Sequence, residues 1–200
     1  MITLELVETK PQKDMVKHII ENYHSYVSSN SSVGRRIDWL VYHPDYKSIL
    51  GIEKPIGMIG VGSSVYPCPK AILEYLGKRA DEYRSPHHFN TIANNWRFCM
   101  TKSIKNAGTQ ILKQLRKQAP IEWKKKYNDE LKYILTFVGG GNNGAVYKAD
   151  NWKLVGETAG LASERKSFSV KWSSAEHLKE TFIPPTGEDK KLIFITRLKW

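Results

Sequence analysis

Between Thr91 and Gly156 two kinds of hydrophobic periodicity alternate. Residues 91–100 carry Ile92, Trp96, Phe98 and Met100 in rough alternation, the spacing of a strand. Residues 104–118 switch to helical spacing, with Ile104, Ala107, Ile111, Leu112 and Leu115 on one face and Lys105, Lys113, Arg116 and Lys117 off it. Residues 131–138 return to a strand. Gly139-Gly140-Gly141-Asn142-Asn143-Gly144 then opens a short helix over 145–151, and 153–156 reads as a further short strand. Strands interleaved with helices in this way predict one α/β or α+β layered domain.

The flanks extend the pattern. Residues 3–7 read as a strand. Thr9 and Gln12 form a capping box with Pro11 in the first turn, and Met15, Val16, Ile19, Ile20, Tyr23 and Val27 recur on one helical face. Ser28-Ser29-Asn30-Ser31-Ser32 closes that helix. Residues 36–43 and 56–61 predict a hairpin around Pro44-Asp45-Tyr46-Lys47. Pro67, Pro69 and Pro86 bound a stretch with one short helix over 71–84, and 122–127 reads as a separate polar turn or short helix. Phe168, Val170 and Trp172 alternate like an edge strand, and 191–198 closes the chain as a strand. The organisation is a single domain over 1–200: an N-terminal helix and hairpin (1–66), an insertion-like segment (67–90), a central half (91–160) and a C-terminal extension (161–200).

Charge narrows the partners. Lys and Arg number 31 against 20 Asp and Glu, a net +11, and between Arg97 and Lys132 ten cations stand against three acids. Such an excess points to nucleic acid, a phosphorylated cofactor or an acidic membrane, with a well-solvated Lys-rich surface as the plain alternative. No window is apolar enough for a membrane span, and the N-terminus lacks a signal peptide's apolar run, so a cytoplasmic protein with no membrane partner is expected. Cys68 and Cys99 stand too far apart for a disulfide framework or a zinc knuckle. Neither a P-loop nor an H-E-x-x-H motif occurs.

The run from Tyr133 through Gly144 and Tyr147 to Trp152 and Gly156 resembles the second half of a GNAT acyltransferase. The resemblance implies a mixed, mostly antiparallel sheet flanked by helices, with 91–160 as the cofactor-binding half and acyl-CoA (acetyl-CoA) as cofactor. Lys102, Ser103, Lys105, Asn106 and Gly108 would receive the pyrophosphate at a helix N-terminus, with Asn142 and Asn143 across from them. The family's pyrophosphate signature is only approximated, by Lys105-Asn106-Ala107-Gly108. A wider ordered set looks like the DruA-type domain of Druantia anti-phage systems, itself similar to the phage Mom family of DNA-modifying proteins. That set comprises Tyr23-His24-Ser25-Tyr26, Val33-Gly34-Arg35-Arg36, Gly62 to Tyr66, Asn94-Asn95-Trp96-Arg97-Phe98, Trp123, Tyr127 and Tyr147 to Gly160.

This second resemblance implies modification of a base in double-stranded DNA, such as carbamoylmethylation of the adenine N6 amine, in a phage, mobile-element or defence setting. Tyr147 aligns with the tyrosine that protonates the departing thiolate. His24, beside Tyr23 and the further catalytic candidate Tyr26, is a candidate base or iron ligand, and Asp150 or Glu157 is a candidate replacement for the acid that relatives carry where this chain has Gly139. Arg35, Arg36, Asn94, Asn95, Arg97, Lys124 and Lys125 are candidate DNA contacts. Each has a plainer reading: a packed helix tyrosine, a solvated strand start, a turn, an exposed lysine run. Two rival functions stay open. One is an ordinary acetyl-CoA-dependent N-acetyltransferase acting on a protein or small molecule; the other is a non-catalytic DNA-binding module.

Overall fold

The computed structural model describes residues 1–24, 34–47, 54–66, 68–158, 160 and 190–198. Tyr26, the edge strand expected around 168–172 and nearly all of the C-terminal extension before its last strand lie outside them. Seven strands form one sheet in the order β1-β2-β3-β4-β5-β7-β6. They are β1 (Thr3–Leu6), β2 (Arg36–Tyr42), β3 (Gly57–Ser63), β4 (Ile92–Met100), β5 (Tyr133–Val138), β6 (Lys153–Glu157) and β7 (Leu192–Arg197). Among these neighbours only β4 and β5 run parallel; the other five pairs are antiparallel. The expected mixed, mostly antiparallel sheet is therefore observed.

Alternation along the strands sorts the core into two faces. On one, Ile37, Trp39, Ile59, Val61, Ala93, Ile134 and Phe194 pack with Ile111, Leu112, Leu115 and Trp123 of α5 (Ala107–Tyr127) and Tyr147 of α6 (Ala145–Ala149). On the other, α1 (Lys10–Tyr23) lays Val16, Ile19 and Ile20 on Leu40, Met58 and Trp96. Beside it, α2 (Lys70–Leu76), α3 (Ala80–Arg84) and α4 (Pro86–Phe89) cover Ile92, Leu135, Ile193 and Ile195.

The Thr9–Gln12 capping box starts α1 as expected. Three expectations change. The helix read over 104–118 runs on to Tyr127, absorbing 122–127, because buried Ala119 and Trp123 tie the turns around Pro120 to the core and offset the hydrogen bond a proline removes. The single helix over 71–84 is split at Gly77, whose backbone is left-handed (φ 61°). The alternation within β4 is broken: Trp96 faces α1, whereas Phe98 and Met100 pack on the α5 side.

Candidate active site

A β-bulge causes that break. On β3, Val61 pairs with Asn95 and Gly60 pairs with Arg97, so Trp96 is the extra residue of β4. Just before the bulge β4 parts from β5: their parallel pairing covers only Ile92–Asn94 against Tyr133–Leu135. A cleft of about 420 Å³ lies where the strands diverge, walled by β4 from Asn95 to Met100, by Thr136 to Val138 of β5, by Asn142 to Tyr147, and by Tyr23 and His24 at the end of α1. Because it opens through the sheet, the cleft receives side chains from both faces.

From the α5 face comes Tyr147. Its ring is buried, stacked on Phe194 at 5.7 Å and edge-on to Trp152 at 5.1 Å. Its hydroxyl donates to Asn95 Oδ1 at 2.8 Å. The Asn95 amide Nδ2 donates to the carbonyls of Gly60 (2.8 Å) and Arg97 (3.0 Å), which stitches the bulge and leaves Oδ1 to accept from Tyr147. Thr136 Oγ1 closes the network on the Asn95 carbonyl at 3.3 Å. From the α1 face comes His24, whose backbone N–H ends the helix on the Ile20 carbonyl. Burial first, and the Arg97 charge second, lower its imidazole pKa below the ordinary 6.5, so at neutral pH the ring is uncharged.

The loop of Asn142 and Asn143 shapes the third wall. Asn142 Nδ2 donates to the Gly139 carbonyl (3.0 Å), and Asn143 Oδ1 accepts the Ala145 N–H (3.0 Å). Gly144 starts α6 with φ 68°, and a Cβ there would run into the Phe194 ring. The α6 helix is clamped to α5 by Asp150, which accepts Arg116 Nε (2.9 Å), Arg116 Nη2 (2.7 Å) and Trp152 Nε1 (2.9 Å).

Of the residues singled out from sequence, His24, Asn95, Arg97, Asn142, Asn143 and Tyr147 meet in this cleft. Lys102, Ser103, Lys105 and Asn106 are exposed on the loop that leads from β4 into the α5 N-terminus. Gly108 lies in the first turn of α5, where its missing Cβ makes room for Val146 of α6. Glu157 sits exposed on the edge strand β6, with β7 between it and β5, so it is not in the cleft. Gly139 packs its α-carbon toward the aliphatic stem of Lys191.

Of the expected DNA contacts, Arg35, Arg36 and Asn95 make contacts within the fold. Arg35 pairs with Asp129 (2.6 Å) and lies over the rings of Trp123 and Tyr127. Arg36 pairs with Asp38 (2.5 Å) and lies 4.0 Å over the Trp96 ring. Asn95 is buried in the bulge and Asn94 is partly buried on β4. Lys124 and Lys125 are exposed on the last turn of α5. Among the described residues no group of three or more His, Cys, Asp or Glu is placed to hold a metal, and no helix is long and apolar enough to cross a membrane. The residues that sequence reasoning missed are Thr136 and Asp38; Thr136 looks like any strand threonine, and the signal for Asp38 lay in the glycines of β3.

No protein-family model matches the chain, and no curated protein does. Solved structures do match. Arabidopsis thaliana NAA60 in complex with acetyl-CoA superposes with a TM-score of 0.58 at 13% identity, covering 99% of each chain. The ribosomal-protein-S18-alanine N-acetyltransferase from Escherichia coli matches at 0.50 and 11% identity, over 100% of this chain and 96% of that one. Spermidine N-acetyltransferase from Vibrio cholerae, in complex with CoA and spermine, matches at 0.51 and 10%, over 98% and 95%. The fold is that of the GNAT acetyltransferases, and at these identities the likeness is one of fold.

Proposed function

We propose that this protein is an acyl-CoA-dependent N-acyltransferase. One observation carries the reading: the cleft at the β4–β5 divergence brings a buried tyrosine hydroxyl from one face of the sheet to an uncharged histidine from the other. The residues present fit an acyl-CoA. Past Asn94 the backbone pairing of β4 with β5 stops, Thr136 Oγ1 reaching only the Asn95 carbonyl, so the backbone of β4 farther along the cleft suits an extended, amide-bearing arm. Exposed Lys102 and Lys105 beside the α5 N-terminus suit its phosphates. When bound, such a cofactor supplies a thioester open to attack by an amine. His24 accepts the proton that the amine sheds, and the Tyr147 hydroxyl turns from Asn95 Oδ1 to protonate the leaving group. Among the solved structures, the bound acetyl-CoA of the Arabidopsis protein and the CoA of the spermidine enzyme support the cofactor.

The acceptor divides the reading in two. A protein N-terminus or a small amine is favoured by the structural neighbours. An amine on a DNA base, carbamoylmethylated or otherwise acylated in double-stranded DNA, is favoured by the net charge of +11 and the Lys run at the end of α5. Radiolabelled acetyl-CoA, offered with N-terminal peptides, polyamines and duplex DNA in parallel, decides between them. Label on a peptide or polyamine supports the first acceptor class. Label on DNA, or an altered nucleoside by mass spectrometry of DNA from expressing cells, selects the second. Failure to bind CoA and to label any acceptor overturns the proposal.

A further inference from the structure

The indole of Trp96 reaches across the sheet. Its Nε1 donates to Asp38 Oδ1 at 2.9 Å, yet Trp96 is on β4 and Asp38 on β2, with β3 between them. Neighbouring strands are about 4.8 Å apart, so the two side chains together bridge roughly two strand spacings. It passes over Gly60, the residue paired with Asp38, and a Cβ at Gly60 would overlap both Asp38 Oδ1 and Trp96 Nε1. Gly62 lies beneath the same indole. Arg36 completes the assembly, giving its Nε to Asp38 Oδ2 and laying its guanidinium over the Trp96 ring, while Lys126 Nζ holds the Arg36 carbonyl at 2.9 Å. Asp38 is 8% exposed, so a carboxylate has been carried out of water to make this contact.

Trp96 is the extra residue of the bulge, and β4 parts from β5 immediately before it. A bulge bends its strand and re-aims the added residue, and here the indole of that residue is anchored two strands away, on Asp38. We infer that Asp38 is a positioning residue that, through the Trp96 indole and over the glycines of β3, holds the β4 bulge and so keeps the cleft between β4 and β5 open. The structural part stands alone; its consequence for cofactor affinity rests on the acyl-CoA reading of the cleft.

The experiment uses the full chain, with amide NMR shifts over 95–100 and calorimetric titration of CoA as separate readouts. Trp96→Phe keeps an aromatic ring, smaller than the indole, and deletes the donor. Asp38→Leu deletes the acceptor while keeping the branching at Cγ, and Asp38→Asn keeps an acceptor oxygen without the charge. Trp96→Phe and Asp38→Leu are each expected to move the 95–100 amides and weaken CoA about tenfold, as loss of one buried hydrogen bond does. The double variant weakens CoA no further than either single one, since both break the same bond. Asp38→Asn stays within about twofold of the wild type. Unmoved amides in Trp96→Phe, effects that multiply in the double variant, or an Asn variant as impaired as Leu would each overturn the inference. Trp96→Phe supplies the answer if Asp38→Leu does not fold. If the wild type binds no CoA, the acyl-CoA reading falls while the amide shifts still decide the role of Asp38.

Discussion

Two buried aspartates on opposite faces of the sheet are dressed alike, each taking an arginine and a tryptophan N–H. Asp38 and Asp150 are nearly equally enclosed, with side chains 8% and 7% exposed. The difference lies in reach. Asp150 accepts Arg116 through two nitrogens and the indole of Trp152, only two residues away, and so fastens a five-residue helix to its neighbour. Asp38 accepts Arg36 through one nitrogen and an indole 58 residues away, across an intervening strand. The Asp150 group fixes where Tyr147 stands; the Asp38 group fixes how far β4 stands from β5. One cleft is thus held from both sides by the same chemistry, locally on the α5 face and at long range on the α1 face.

The largest effect is expected where the α5-side group ends, at the hydroxyl of Tyr147. Tyr147→Phe removes the proton held against Asn95 and leaves the ring stack on Phe194 intact. We expect kcat to fall at least about a hundredfold with little change in KM for acetyl-CoA, as loss of a group acting only in the transition state requires. Steady-state kinetics check this, and a KM effect without a kcat effect would make Tyr147 a packing residue. Next comes the clamp itself. Asp150→Ala strands the buried Trp152 N–H and uncouples Arg116, which is one-third exposed and regains water. Destabilisation of about 2–4 kcal/mol is expected in urea melts.

Asp38 should behave differently under the corresponding change. Burial raises its carboxyl pKa above the ordinary value, against the opposing pull of Arg36, Trp96 and Lys126. A folded pKa above the unfolded one means that the folded state binds the proton more tightly, so the ionised group opposes folding. This contribution shrinks as pH falls from the raised pKa toward 3.8. Asp38→Asn keeps the acceptor and drops the charge, so it is expected to match or exceed wild-type stability by up to about 1 kcal/mol at pH 7. The margin should narrow as the pH is lowered. Urea melts at pH 7 and at about pH 4, near the ordinary carboxyl value, check the sign, and a variant clearly weaker at pH 7 would mean that the Arg36 pair outweighs the desolvation.

The α5-side group was far more legible in the sequence than the α1-side one. The helical period from Ile104, the strand 131–138 and the Asn-Gly loop before Tyr147 are local signals, and they located β5, α6 and the tyrosine. The bond between Asp38 and Trp96 joins positions whose adjacency depends on the register of three strands, which no local period encodes. Its trace was the spacing of Gly60 and Gly62, two glycines on one face of a strand, where absent side chains admit a ring from a neighbour. The same dependence on register hid the partners of Arg35 and Arg36: as sequence they are two cations after a polar loop, and pairing sets them against Asp129 and Asp38. The packing use of Gly108 was hidden for a related reason, since only the docking of α6 reveals Val146 above it.

The smallest expected effect lies where the α1 face meets the cleft, at His24. Its pKa is lowered by burial first and by the Arg97 charge second, so wild-type activity should fall on the acid side only at a pH below 6.5. Arg97→Gln removes the second cause and keeps the first. The acid limb of kcat/KM against pH should therefore move upward, toward but not reaching 6.5, while the plateau at pH 8 holds. Salt sharpens the test. Raising the ionic strength screens the Arg97 charge and should move the wild-type limb in the same direction, yet leave the Arg97→Gln limb where it is, because desolvation is not screened. A limb that responds to neither change would remove His24 as the base and leave the proton of the amine to the solvent. A limb that follows both ties the chemistry of the cleft to the strand that the Asp38 group holds in place, since Arg97 is the residue directly after the bulge.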